Sequence, residues 1–134
     1  MREIYVNLPV KDTYKARAFY AALGFTHNAQ FSNETTTCVV ISEQIYVMLL
    51  ETSKFEEFLA GPLHDPATGT STLLALSCDS RAEVDEMYKV ALASGGSAWR
   101  DTQDYGFMYS RSFRDPDGNV WEPMWMDPSY VEPT

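Results

Sequence analysis

A chain of 134 residues, 45% of them hydrophobic and 13% aromatic, is long enough for one domain with a buried core and has a globular composition rather than that of a linker. Nineteen acidic side chains against ten basic ones leave a formal net charge of −9, which repels phosphate backbones and argues against nucleic-acid binding. No apolar run approaches bilayer-spanning length and Met1-Arg-Glu-Ile-Tyr5 lacks a secretion-signal core, so a cytoplasmic chain with no membrane attachment is expected.

Residues 3–10 alternate Val6, Leu8 and Val10 with Tyr5, Asn7 and Pro9, the pattern of a strand with one core face and one mixed face. Asp12 is placed to cap a helix reaching Leu23, with Ala16, Phe19, Tyr20 and Leu23 on its apolar stripe and Gly24 as its stop. Strands are predicted at 25–31, 35–42 and 44–50, the last two joined tightly through Ser42-Glu43. A short helix over 52–60 follows, with Ser53 and Glu56 as a capping box and Gly61 at its end. Residues 62–71, rich in Pro, Gly and small polar side chains, read as a linker or mobile loop.

The second half repeats the first. A strand at 72–78 leads through the capping box Ser80/Glu83 into a helix with Val84, Met87, Tyr88, Ala91 and Leu92 on one stripe, stopped by Gly95-Gly96. Strands are predicted at 97–100, 106–113 and 119–126, the last two joined at Asp115-Pro116-Asp117-Gly118, where Pro116 pre-sets φ and Gly118 accepts a positive φ. Leu8 with Leu76, Ala16 with Val84 and Tyr20 with Tyr88 share one offset between the halves. The expected architecture is α+β, a single domain of two βαβββ modules at 1–61 and 72–127 with a tail at 128–134, whose curled mixed sheets enclose a shared concave cavity.

Two features bear on chemistry. Cys38 and Cys78 lie in apolar strand-like runs and read as buried thiols. Glu122 shares a strand face with Val120, Met124 and Met126, so it is paired, bound to a cation, kept protonated, or open to water at a cavity mouth.

The opening Val6-Asn-Leu-Pro-Val-Lys-Asp12, the Phe19-Tyr20 and Leu23-Gly-Phe25 steps and the closing Asp115-Pro-Asp-Gly-Asn-Val-Trp-Glu122 resemble the vicinal oxygen chelate superfamily, which holds glyoxalase I, bleomycin-resistance proteins and extradiol dioxygenases. In metal-dependent members, the resemblance implies, ligands come from the first and last strands of each module. This chain has Tyr5 and Leu73 where glyoxalase I has His, Met48 where it has Glu, and Glu122 where the final Glu is found. A phenol, a thioether, an isobutyl group and one carboxylate are a poor donor set for a divalent ion, so no metal and no cofactor are expected. His27 and His64, each alone in its segment, read as solvated or locally hydrogen-bonded.

On that register Tyr5, Asn7, Met48, Leu50, Leu73, Ala75, Ser77, Glu122 and Met124 line the cavity, unless the larger side chains simply fill it. Desolvation would raise the pKa of Glu122 and suit it to act as a general base, with Tyr5 donating a hydrogen bond to it or to a substrate. A structural Tyr5–Glu122 hydrogen bond is the plainer alternative. Tyr105, Phe107, Tyr109 and Arg111 form a second candidate ligand surface of rings and one cation. The leading expectation is a metal-independent, bleomycin-resistance-like protein that binds a small organic molecule, a cationic one on charge grounds, as a homodimer. The alternatives are a lactoylglutathione lyase-like isomerase or lyase with Glu122 as base and residues 62–72 as lid, and a protein-interaction module.

Overall fold

Each half of the chain folds in the expected order of strand, helix and three strands. The structure, a computed structural model, describes residues 1–130, so the end of the expected tail, 131–134, lies outside the described residues. Two compact units divide the chain, Met1–Thr68 and a second beginning at Gly69. In the first, β1 (Ile4–Val10), β2 (Thr26–His27), β3 (Thr36–Val40) and β4 (Ile45–Glu51) form a sheet in the order β1-β4-β3-β2. In the second, β5 (Leu73–Ser77), β6 (Ser97–Asp104), β7 (Met108–Arg114) and β8 (Val120–Met126) repeat that order as β5-β8-β7-β6. The β1–β4 and β5–β8 pairs are parallel and all others antiparallel, so each unit is an open mixed sheet with its helix in the crossover.

Helix α1 (Thr13–Ala22) starts where the Asp12 carboxylate accepts from the N–H of Tyr14 and Lys15 at 2.9 and 3.1 Å. It stops at Gly24, whose φ of +101° a side chain would resist. Thr13, Ala16, Phe19 and Tyr20 face the core. Complete burial of the two rings stabilises the unit by about 2 kcal/mol each. In the second unit α3 (Arg81–Ala93) opens with Ser80 accepting from Glu83 N at 3.1 Å, while the Glu83 carboxylate accepts from Asp79 N at 2.7 Å. Val84 and Ala91 are buried beneath it, whereas Leu92 lies past the stripe and is exposed.

Four expectations need correction. The strand expected over 25–31 ends at His27, because the Asn28 side chain accepts from Gln30 N and turns the chain into a 3-10 turn at Ala29–Phe31. The helix expected over 52–60 is α2 (Thr52–Glu56), which follows β4 directly and has no side-chain cap, so the Ser53 box does not form. Glu51 closes β4 instead of lying beyond it, and its carboxylate accepts from Thr13 N at 3.1 Å. Strand β6 runs on to Asp104 rather than stopping at Arg100. Among the described residues no helix is long and apolar enough to cross a membrane.

The β7–β8 hairpin forms where expected and sets the register of the last strand. Gly118 takes φ +91° and donates its N–H to Asp115 O at 3.0 Å. Buried Asp115 accepts from Asp117 N, Asn119 N and Asn119 Nδ2, each at 2.9 Å. That closure holds Phe113 opposite Trp121 on the helix side, which brings Ser112 and Glu122 onto the other face.

Candidate functional site

Glu122 stands on the face of the second sheet turned away from α3. Its cross-strand neighbours form one row, Ala75 on β5, Glu122 on β8, Ser112 on β7 and Arg100 on β6. Ser112 Oγ donates to Glu122 Oε1 at 3.0 Å, and the same oxygen meets Arg100 Nη2 at 2.7 Å. Arg100 Nε donates to Ser112 Oγ at 3.2 Å, which closes a three-residue ring of charge-assisted hydrogen bonds. The Glu122 side chain is 12% exposed and that of Arg100 38%, so the pair sits at the margin between sheet and solvent. Of the four situations open to a carboxylate on this face, the structure shows the paired one. The guanidinium supplies the counter-charge that a carboxylate on this face needs.

The remaining expected residues divide by unit. Leu73, Ala75 and Met124 share the strand face of Glu122, with Ser77 and Ser110 flanking Met124. Tyr5, Asn7, Met48 and Leu50 share the corresponding face of the first sheet, where Asn7 pairs with Met48 and Tyr5 with Tyr46. Leu50 is buried, Met48 half-buried and Tyr5 exposed. Tyr5 donates its hydroxyl to Glu3 at 3.1 Å and stacks on Tyr46 with ring centroids 4.8 Å apart. That hydrogen bond to an acidic side chain raises the Tyr5 pKa above the ordinary phenol value, so the group holds its proton at neutral pH.

The second candidate surface splits. Tyr105 donates to Gln103 Oε1 at 2.6 Å, beside the Gln103–Ser110–Met124 row, and Phe107 stacks on Tyr130 at 4.0 Å. Arg111 lies on the opposite face, because its odd position on β7 points toward α3. There its guanidinium covers the Tyr88 ring at 3.8 Å and meets Asp85 at 3.3 Å. Tyr109 also donates to Asp85, and Arg81 spans the Tyr109 and Trp125 rings. These groups clamp the helix to its sheet, so Arg111 is not a companion of Glu122. Trp121 is buried on the same helix-facing side.

Sequence reasoning missed Arg100 and Ser112. Strand β6 carries a register shift between Ala98, opposite Phe113, and Arg100, opposite Ser112. The extra residue in this bulge reverses the side-chain parity and turns Arg100 away from the helix. An Arg next to Trp in a strand-like run was the available signal, but nothing in the local sequence marked the bulge.

A divalent metal does not fit these residues. Glu122 Oε1 is already engaged by a guanidinium, and among the described residues no three His, Cys, Asp or Glu side chains are gathered in a metal-binding group. The cysteines are free and buried, and burial pushes both thiols up, that of Cys78 to about 11, which makes neither a nucleophile at neutral pH. His27 and His64 are exposed.

Residues 4–122 match the Glyoxalase/Bleomycin resistance protein/Dioxygenase superfamily. No curated protein matches the chain. Among solved structures, a hypothetical protein from S. aureus is 24% identical with a TM-score of 0.79, covering 93% of this chain and 94% of that one. A glyoxalase/bleomycin resistance protein/dioxygenase family enzyme from Burkholderia phytofirmans is 20% identical at TM-score 0.75, covering 91% and 96%. A lactoylglutathione lyase from Agrobacterium tumefaciens is 21% identical at TM-score 0.67, covering 96% of each chain. At these identities the structures share the fold alone. With the family matched over nearly the whole chain and the fold shared, this chain belongs to the Glyoxalase/Bleomycin resistance protein/Dioxygenase superfamily.

Proposed function

We propose that the chain binds a small organic molecule on the strand face that carries Glu122, and that it does so without a resident metal. The observation that carries this reading is the Arg100–Ser112–Glu122 ring, which supplies a positive charge from within the protein where a metal-dependent relative would need several anionic or imidazole donors. The surrounding Leu73, Ala75 and Met124 supply apolar surface, and a few convergent polar groups among apolar neighbours are the usual composition of a small-molecule site. A carboxylate held by a guanidinium and a hydroxyl is an anchor rather than a base, since proton abstraction would have to oppose that pairing.

A second reading, an isomerase or lyase with Glu122 as general base, keeps one observation in its favour. Glu122 Oε1 takes both contacts, while Oε2 has no hydrogen-bond partner among the described residues. The test is turnover of the hemithioacetal of an α-ketoaldehyde and a thiol, with and without added divalent metals, alongside a thermal-shift screen of small organic molecules. The binding reading expects melting shifts with a subset of compounds and no metal-stimulated turnover. Turnover that rises with metal and disappears in Glu122→Gln would establish the second reading in its place.

A further inference from the structure

The two sheets end on equivalent edge strands, β1 and β5, and the chain blunts only the first. In a parallel pair, alternate residues turn their backbone N–H and C=O toward the neighbouring strand. Ile4 N donates to Gln44 O at 2.9 Å and Cys78 N to Met124 O at 2.7 Å, so the even-numbered residues bond to β4 and β8. Tyr5, Asn7 and Pro9 on β1, and Leu73, Ala75 and Ser77 on β5, therefore point their backbone groups outward. The offset that pairs Leu8 with Leu76 pairs these residues as well. Along β1 the outward row lacks a donor at Pro9, and the Tyr5 carbonyl already accepts from Asn7 Nδ2 at 3.2 Å. At the matching places β5 has Ser77 and Ala75, which supply neither device. Among the described residues no strand pairs with this edge of β5 and no side chain caps it, and Leu73, Ala75 and Ser77 are exposed.

We infer that a second copy of this chain pairs its own β5 with this edge, antiparallel about a two-fold axis at Ala75. The open backbone row accepts an extended strand, and the side chains favour the chain itself. No residue from Pro66 to Cys78 is charged, so two copies of net charge −9 meet here without setting like charges against each other. Symmetry about Ala75 places that methyl opposite the partner's Ala75 and Leu73 opposite the partner's Ser77. Asp79, the first acid beyond the strand, falls opposite the partner's Ser71. On the helix side Leu76 is half-buried where its counterpart Leu8 is buried, and the pairing covers it with the partner's Leu74. Ala75 is the neighbour of Glu122, so the Arg100–Ser112–Glu122 rows of the two copies join in one continuous sheet. The inference does not depend on the binding function proposed above.

Sedimentation velocity of the full chain from about 10 μM to about 1 mM tests the assembly, and backbone amide exchange followed by NMR locates it. A dimer is expected, with the Leu73, Ala75 and Ser77 amides exchanging at least about tenfold more slowly at the upper concentration than at the lower. Ser77→Pro and Ala75→Asn write the devices of Pro9 and Asn7 into β5. Each alters only the outward backbone groups, so the bonds from β5 to β8 stay in place. Each should weaken association by at least about tenfold with an unchanged far-ultraviolet circular dichroism spectrum. Ala75→Asn carries the test if Ser77→Pro proves unfolded. A chain that is monomeric throughout overturns the inference and leaves the edge to an extended segment of another protein. So does a dimer in which these amides exchange at one rate at every concentration, or one that the folded variants leave intact.

Discussion

The two units carry the same row of strands with opposite chemistry. In the first, Asn7, Met48 and Cys38 stand side by side across β1, β4 and β3; in the second, Ala75, Glu122 and Ser112 occupy the matching places across β5, β8 and β7, with Arg100 on β6 completing the row. Backbone register is therefore indifferent to whether the row is soft and apolar or charged. Side-chain pairing decides what the face can do. The carboxylate is tolerated in the second unit because β6 bulges and delivers a guanidinium. In the first unit β2 has only two residues and supplies no cation to Met48's row.

The units also differ just after their helices, and there the largest effect is expected. A Cβ on Gly96 would come within 2.6 Å of Arg114 O and 2.9 Å of Ala91 O, both backbone atoms. Gly96→Ala should destabilise the chain by about 3 kcal/mol as backbone is forced apart. Gly24→Ala in the first unit meets nothing within 4 Å and should lose only about 1 kcal/mol, from its positive φ. Urea midpoints of the two variants measure the difference, and equal losses would break the contrast.

Exchanging the chemistry of the rows comes next. Arg100→Gln leaves the Glu122 carboxylate, 12% exposed, with one hydroxyl partner, and should lower stability by about 2 kcal/mol. Met48→Glu writes a carboxylate into the first unit's row beside buried Cys38 with no cation on the neighbouring strand, at a similar loss of about 2 kcal/mol. Glu122→Met, by contrast, leaves a solvated Arg100 and should stay within about 1 kcal/mol of the parent. Denaturant titration of the three variants sharpens the comparison, and a harmless Met48→Glu would show that the first row can accept charge after all.

Much of this arrangement was legible in the sequence. Asp12 and Ser80 as caps, Gly24 as stop and the Asp115–Gly118 turn are local devices whose side chains act on backbone a few residues away, so their meaning survives without tertiary context. The placement of Tyr5, Asn7 and Met48 on one face, and of Leu73, Ala75, Glu122 and Met124 on another, followed from strict alternation. Arg100 and Arg111 were misjudged for one reason. Parity along β6 is reset by a bulge, and β7 had to be read relative to a helix on one side of it; neither is encoded in neighbouring residues. Ser53 failed as a cap because the helix begins directly off β4, a tertiary constraint that outweighs propensity.

The smallest expected effect concerns pH. Arg81 binds Asp104 through two hydrogen bonds of 2.8 and 2.9 Å and, with the Gly106 N–H, holds the Asp104 carboxyl down to about 2. The folded pKa lies below the unfolded one, so this contribution is fully present above about pH 4 and is lost as pH falls toward about 2. Carbon-detected NMR titration of Asp104 should show the depressed value, and Arg81→Gln should return it toward the ordinary carboxylate range. An unchanged titration in the variant would contradict the assignment. The first unit has no Arg–Asp ion pair of this kind among its described residues.

The central claim, that the Glu122 carboxylate is held by a guanidinium rather than poised for a metal, is tested most directly by following its side-chain ¹³C resonance while Ni²⁺ or Zn²⁺ is added. The pairing with Arg100 and Ser112 predicts a resonance that stays in place through one equivalent of either ion and moves on Arg100→Gln. A stoichiometric metal-induced shift or broadening at Glu122, absent from Glu122→Gln, would contradict it.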